Sequence, residues 1–161
     1  MLPPTFKCYL CGTAAKLVTE PREVGVGQRK VVIEDTFYRC GNCDETFYLG
    51  GMADESFRRG AAAVRKAEGL LEPDAIRALR AKYGLSQAEL EKLIGAGEKT
   101  VVRWERGTVA QNATADTLLR VLRALPEAVA LLAKERGVKV TLPPAENAPL
   151  ESDASPVEKA A

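Results

Sequence analysis

The chain has 161 residues, 46% of them hydrophobic, with 23 basic and 22 acidic side chains and a net charge of only +1. That balance excludes attachment to nucleic acid or to an anionic surface by bulk charge, so any such contact must come from a local patch. No apolar run approaches the roughly 20 residues of a membrane span, and a cytoplasmic protein of two small domains is expected.

The first element is a pair of Cys-x-x-Cys knuckles, Cys8-Tyr-Leu-Cys11 and Cys40-Gly-Asn-Cys43, which hold all four cysteines of a chain without histidine. Four thiolates in two short knuckles suit a tetrahedral, borderline-soft ion, because backbone N–H groups in each turn share the sulfur charge. The expectation is one structural Zn2+ per chain, held by Cys8, Cys11, Cys40 and Cys43. Two rival readings fit less well: nothing before Leu10 resembles a leader for a secreted disulfide framework, and no βαβ pattern supports a redox dithiol. With no histidine and no open ligand position, a catalytic metal is not expected, and the chain is not read as an enzyme.

Between the knuckles, Lys16–Thr19, Lys30–Ile33 and Thr36–Arg39 are short β-branched and aromatic runs interrupted by Pro21, Gly25 and Gly27, and Thr46–Leu49 can add another strand. Residues 1–51 therefore read as a zinc-bound β domain. Asp54 can cap a connecting helix to about Gly69, within residues 52–71, with Phe57, Ala61 and Val64 on one face and Arg58, Arg59, Arg65 and Lys66 solvated.

From Glu72 the pattern is wholly helical, about five helices over residues 72–137. Pro73 opens the first, with Ile76, Leu79 and Tyr83 as its stripe and Gly84 as its stop. Ser86 caps the second through Ile94, with Glu89 completing a capping box. Glu98–Arg106 reads as the third, closed by Gly107. Asn112 or Thr114 caps a fourth, and Pro126 opens a fifth to about Arg136. Residues 138–161, rich in Pro, Ala and acidic side chains, read as a disordered tail. The fold class is thus α+β, a small metal-bound β domain followed by an all-α domain. By segment, residues 1–50 carry six basic and six acidic side chains, 51–136 fifteen and twelve, and 137–161 two and four, so the helical segment holds the only basic excess.

The run Leu85–Gly107 has the spacing of a DNA-binding helix-turn-helix, a capped helix, a glycine turn and a short helix for the major groove. Leu90, Ile94, Ala96, Val101 and Trp104 can pack inward, leaving Gln87, Glu98, Lys99, Thr100, Val102, Arg103 and Arg106 outward. Arg103 has the donors for a bidentate guanine contact, Lys99 suits a base or a phosphate, and Gln87 suits a phosphate oxygen. The run resembles the lambda-repressor-like (XRE) family, with Glu91 where that family usually has a small residue.

Together the two halves resemble the MqsA antitoxin family, with its YgiT-type zinc finger, over roughly residues 7–132. The likeness rests on Lys7-Cys8…Cys11, Tyr38-Arg39-Cys40…Cys43-Asp44-Glu45, Gly95-Ala96-Gly97 and Leu118–Leu122…Pro126-Glu127. It implies a type II antitoxin whose zinc domain holds a small ribonuclease toxin. Its helical domain would form a homodimer and repress the operon at a palindromic operator, with Lys99 and Arg103 at the base-reading positions and residues 54–71 as a hinge. The aromatics Phe37, Phe47 and Tyr48 are candidate toxin anchors or core residues. A helix-turn-helix regulator that meets no toxin is the alternative, since it would use the same two domains.

Overall fold

The computed structural model describes residues 3–143. Four antiparallel strands form a meander in the order β1 (Thr5–Lys7), β2 (Ala14–Val26), β3 (Arg29–Cys40) and β4 (Thr46–Phe47). Six helices follow: α1 (Met52–Glu68), α2 (Pro73–Lys82), α3 (Gln87–Ile94), α4 (Thr100–Glu105), α5 (Ala113–Ala124) and α6 (Pro126–Arg136). The α+β class expected from the sequence is the class found.

The strand boundaries differ from the expectation. The separate runs expected around Pro21 and Gly25 are one long hairpin, in continuous register from Ala15↔Cys40 to Val26↔Arg29 about a Gly27-Gln28 turn. Pro21 is tolerated because β1 pairs with β2 only at Ala14–Lys16, so beyond it the outer edge of β2 is open and a missing N–H costs no ladder bond. Burial alternates along β2, with Val18, Glu20, Arg22, Val24 and Val26 on the covered face and Leu17, Thr19, Pro21 and Glu23 on the wet one. β1, at Thr5–Lys7, was not anticipated, since three residues carry too little pattern to read.

Helix α1 lies against this hairpin, and its buried stripe is Met52, Ser56, Gly60, Ala61 and Val64. Phe57, expected on that face, is 57% exposed, whereas Arg65, expected in solvent, is buried and pairs with Glu72 at 3.1 Å. The helix is rotated because Gly60 is its point of closest approach: a Cβ there would stand 2.9 Å from Val26 Cγ2 and 3.2 Å from Val24 Cγ2. Small residues let the helix backbone sit directly on the strand, and that contact outweighs the burial of one aromatic ring.

The segment expected to act as a hinge is instead fastened at both ends. Val26, Ala61, Val64, Leu70 and Ala110 form one cluster spanning the sheet, α1 and the loop before α5. The backbone between α1 and α2 is held by buried polar groups of the helical half. The Leu71 N–H donates to Asp116 Oδ1 (2.7 Å), Gln111 Nε2 donates to Leu71 O (2.7 Å), and Arg120 Nη2 donates to Gly69 O (2.7 Å). Gln111 and Asp116 are themselves bonded at 3.0 Å and buried, so the linker's polar groups are satisfied inside the protein instead of by water.

The helical half matches the expected five helices, with Ile76, Leu79, Tyr83, Leu90, Val101, Trp104, Leu119 and Leu122 in its core. Residues 138–143 are docked and not a free tail: Val138 and Val140 pack on that core, and the Thr141 N–H donates to Tyr83 O at 3.0 Å. The rest of the expected disordered tail lies outside the described residues.

Candidate metal centre and nucleic-acid interface

The long hairpin brings the two knuckles together, because Cys40 ends β3 beside Ala15, just beyond the first knuckle. Both knuckles fold alike. In the first, the Cys8 N–H donates to Thr13 O (2.8 Å) and the Gly12 N–H to Cys8 O (3.0 Å); in the second, the Cys40 N–H donates to Glu45 O (2.9 Å) and the Asp44 N–H to Cys40 O (3.2 Å). The fifth residue of each turn is left-handed, Gly12 at φ 73° and Asp44 at φ 56°. Asp is among the few residues that tolerate that region, so Asp44 replaces the glycine of the first turn.

The four sulfurs lie within 4.8 Å of one another, with Cys8–Cys43 at 3.6 Å and Cys11–Cys40 at 3.4 Å. These separations are far beyond a disulfide bond. They are close to the roughly 3.8 Å edge of a tetrahedron with metal–sulfur bonds of about 2.3 Å. The donor set therefore fits a four-coordinate thiophilic ion. Cys8 and Cys40 are buried and Cys11 and Cys43 exposed, so the quartet lies at the surface with two of its sulfurs rooted in the core. The Thr13 backbone N–H, helped by the Thr13 hydroxyl and Cys40, holds the Cys11 thiol down to about 6. At Cys43 the Glu45 N–H also favours thiolate, but burial and hydrogen bonding to Cys40, Cys11 and Cys8 outweigh it and push the thiol up to about 12. Four sulfurs this close share protons unless a cation replaces them.

Tyr9 and Leu10, inside the first knuckle, are 72% and 71% exposed. Tyr9 packs edge-on against Phe6 and Phe47, at ring-centroid distances of 4.7 and 5.7 Å. Of the expected anchors, Phe37 is fully buried, with the Arg22 and Arg39 guanidinium groups 4.8 and 5.2 Å from its ring centroid, and it belongs to the core. Phe47 and Tyr48 are half-buried. Tyr9 and Leu10 carry no signal of exposure in the sequence, since two residues between cysteines show no periodicity.

In the helix-turn-helix the Ser86 capping box forms as expected, with the Glu89 N–H donating to Ser86 Oγ (3.2 Å) and the Ser86 N–H to Glu89 Oε2 (2.8 Å). Leu90, Val101 and Trp104 are buried, as is Leu93, while Ile94 and Ala96 are half-buried. Helix α4 is shorter than expected, starting at Thr100 and not at Glu98, because Lys99 takes a left-handed conformation (φ 60°) at its head. Glu91, which departs from the XRE pattern, has a physical role: its buried Oε1 accepts the Val101 N–H at 2.9 Å. One of the amides that a helix start leaves without a partner is thus satisfied by the preceding helix.

Of the expected DNA-contacting residues, Lys99 and Arg103 are exposed and Thr100 and Gln87 half-buried. Gln87 is also engaged within the protein, donating from Nε2 to Glu105 Oε2 at 2.7 Å. Nine of the thirteen arginines stand within 4 Å of a carboxylate. Among the described residues, Arg103 and Arg106 have no such partner, and neither does Lys99. The exposed stripe of α4 is therefore a cationic surface without carboxylate partners on a chain that pairs most of its arginines.

A family model described as the antitoxin component of bacterial toxin-antitoxin system, MqsA, matches residues 6–133. Antitoxin HigA-2 of Vibrio cholerae serotype O1 (strain ATCC 39315 / El Tor Inaba N16961) is 28% identical over 64 residues, which cover 40% of this chain and 62% of that protein. The match thus spans less than two thirds of that relative. No helix among the described residues is long and apolar enough to cross a membrane.

Proposed function

The chain belongs to the MqsA antitoxin family, and on that footing we propose that it neutralises a small ribonuclease toxin and represses its own operon by sequence-specific DNA binding. The observation that carries the DNA half is the stripe of Lys99, Arg103 and Arg106 on α4, three cations without carboxylate partners on the second helix of a helix-turn-helix. Arg103 reads guanine O6 and N7, Lys99 and Thr100 contact the neighbouring base or phosphate, and Gln87 uses its remaining N–H on a phosphate oxygen. The protein acts as a regulator and not as an enzyme.

Residues 1–51 form the toxin-holding domain, stapled by one Zn2+ on Cys8, Cys11, Cys40 and Cys43, and residues 72–137 the DNA-binding domain. Tyr9, Leu10 and Phe47 replace Phe37 as the anchors, since an exposed aromatic cluster beside a metal-fixed turn is preorganised for a partner. The helical domain dimerises. Leu125 and Leu131, both more than half exposed, give apolar area to such a contact, and twofold symmetry then places two reading helices about 34 Å apart on a palindrome.

Arg103→Ala is expected to cost about 1–3 kcal/mol on the operator and to relax its base preference, while Gln87→Ala weakens binding more evenly across sequences. Tyr9→Ala combined with Leu10→Ala is expected to abolish rescue of cells expressing the toxin encoded beside the gene, while leaving operator affinity at fixed salt unchanged. Unchanged operator binding by Arg103→Ala would remove the reading-helix assignment. A gene with no toxic neighbour would leave a regulator that meets no toxin.

A further inference from the structure

Val102 directly precedes Arg103 and stands four residues before Arg106, so the helical repeat puts these three on one side of α4, with Lys99 at the helix head. Its neighbours Val101 and Trp104 are buried in the core behind it. Val102 is half-buried, yet it belongs neither to the helical core cluster nor to the apolar side chains packed against that cluster. A β-branched residue loses rotamer freedom in a helix, so helix propensity does not account for its choice in a six-residue element. A bare isopropyl group among three cations, on a surface that faces away from the core, is unexplained by folding.

One chemical group in the major groove suits it. Thymine alone carries a C5-methyl there, and that methyl is read by apolar contact, whereas the other base edges present hydrogen-bonding atoms. We propose that Val102 reads the C5-methyl of a thymine adjacent to the base contacted by Arg103. The inference rests on the DNA-binding reading and adds to it a further specificity-determining residue, one that reads by apolar contact. Arg103 selects by hydrogen bonding and Val102 by desolvating a methyl group, so one helix face distinguishes a guanine–thymine step from its alternatives.

The test uses duplexes selected from a randomised pool by the full-length, metal-loaded protein, in which each thymine is replaced singly by deoxyuridine, a change that removes only the methyl. At one position per half-site the replacement is expected to weaken wild-type binding about fourfold, which corresponds to about 0.8 kcal/mol for one buried methyl. Val102→Ala is expected to bind the thymine duplex correspondingly less well and to be indifferent to the replacement at that position. Val102→Ile is expected to keep the sensitivity. Because Val102 lies outside the core cluster, the alanine variant should stay close to the wild-type melting temperature and keep the metal content. The inference is overturned if no deoxyuridine change exceeds about twofold, or if Val102→Ala retains the wild-type sensitivity. Selection of no duplex above random DNA would overturn the DNA-binding reading itself.

Discussion

Replacing Cys40 with serine is expected to unfold residues 3–51 while the helices from Pro73 to Arg136 stay folded. The end of the sheet that carries the knuckles has few other buried side chains, since the Val26 cluster with α1 lies at the far end of the hairpin. Its cluster around the cysteines is Cys8, Ala15, Tyr38, Cys40 and Met52, flanked by half-buried Phe6, Phe47, Tyr48 and Leu49, and two of the five buried members belong to the cysteine quartet that could hold a metal. A unit of this size rarely builds enough apolar core to fold unaided, so it needs a staple. A structural Zn2+ contributes about 10–16 kcal/mol of apparent binding free energy at neutral pH, which is as large as the whole stability of a typical domain. Loss of one thiolate forfeits most of that and leaves three sulfurs without the charge they share. Acid acts in the same direction, because protons compete with the metal for the thiolates and affinity falls as pH drops. The measurement is metal content together with amide resonance dispersion of the full chain. A serine variant that kept one equivalent of metal and dispersed strand resonances would defeat the idea. The helical half is buffered because its cluster from Leu71 to Ala133 includes none of the four cysteines.

The features legible in the sequence are those set by neighbouring residues. The knuckle spacing, the Ser86–Glu89 capping box, the cap at Asn112 and the positive-φ glycines at Gly84, Gly95 and Gly107 each depend on a few consecutive positions, and each is found as expected. What escaped depends on partners far along the chain. Pro21 reads as a strand breaker until it is known that the outer edge of β2 is open there. Phe57 reads as core until Gly60 is seen to set the rotation of α1 against Val24 and Val26. Arg65 reads as a solvated charge although Glu72 and the helical half enclose it. The candidate site divides in the same way: the cysteines declare themselves by type and interval, whereas the engagement of Gln87 by Glu105 requires the fold to bring α3 against α4.

The other large effect is expected at Glu105. Its carboxylate, almost fully buried, accepts from Arg80 Nε at 2.6 Å, Arg80 Nη2 at 3.2 Å and Gln87 Nε2 at 2.7 Å, while its backbone oxygen accepts from Arg77 Nη2 at 2.7 Å. One residue thus ties α2 and α3 to α4. Glu105→Ala leaves the partly buried Arg80 guanidinium with only the Leu85 carbonyl at 2.8 Å. Breaking a buried pair from one side typically costs about 3–5 kcal/mol, and the partial exposure of Arg80 places the expectation near the lower figure. The consequence for function is larger than the loss of stability alone. A six-residue helix does not persist by its own propensity, so without this tie α4 loses its fixed pose and operator binding should fall with it. Acid supplies an internal check. Burial alone would raise the Glu105 pKa, but the hydrogen bonds from Arg80 and Gln87 outweigh it and hold the carboxyl below its ordinary value; Asp116 is held low in the same way by Arg120 and the Leu71 N–H. The stability from such groups is complete above the ordinary carboxylate range near about 4.3 and drains as pH falls through the lowered folded values. The gap between wild type and Glu105→Ala in urea unfolding of the helical transition should therefore be full at pH 7 and should narrow on acidification. A gap of less than about 1 kcal/mol at pH 7, or one that widened in acid, would show that Glu105 does not hold the reading helix in place.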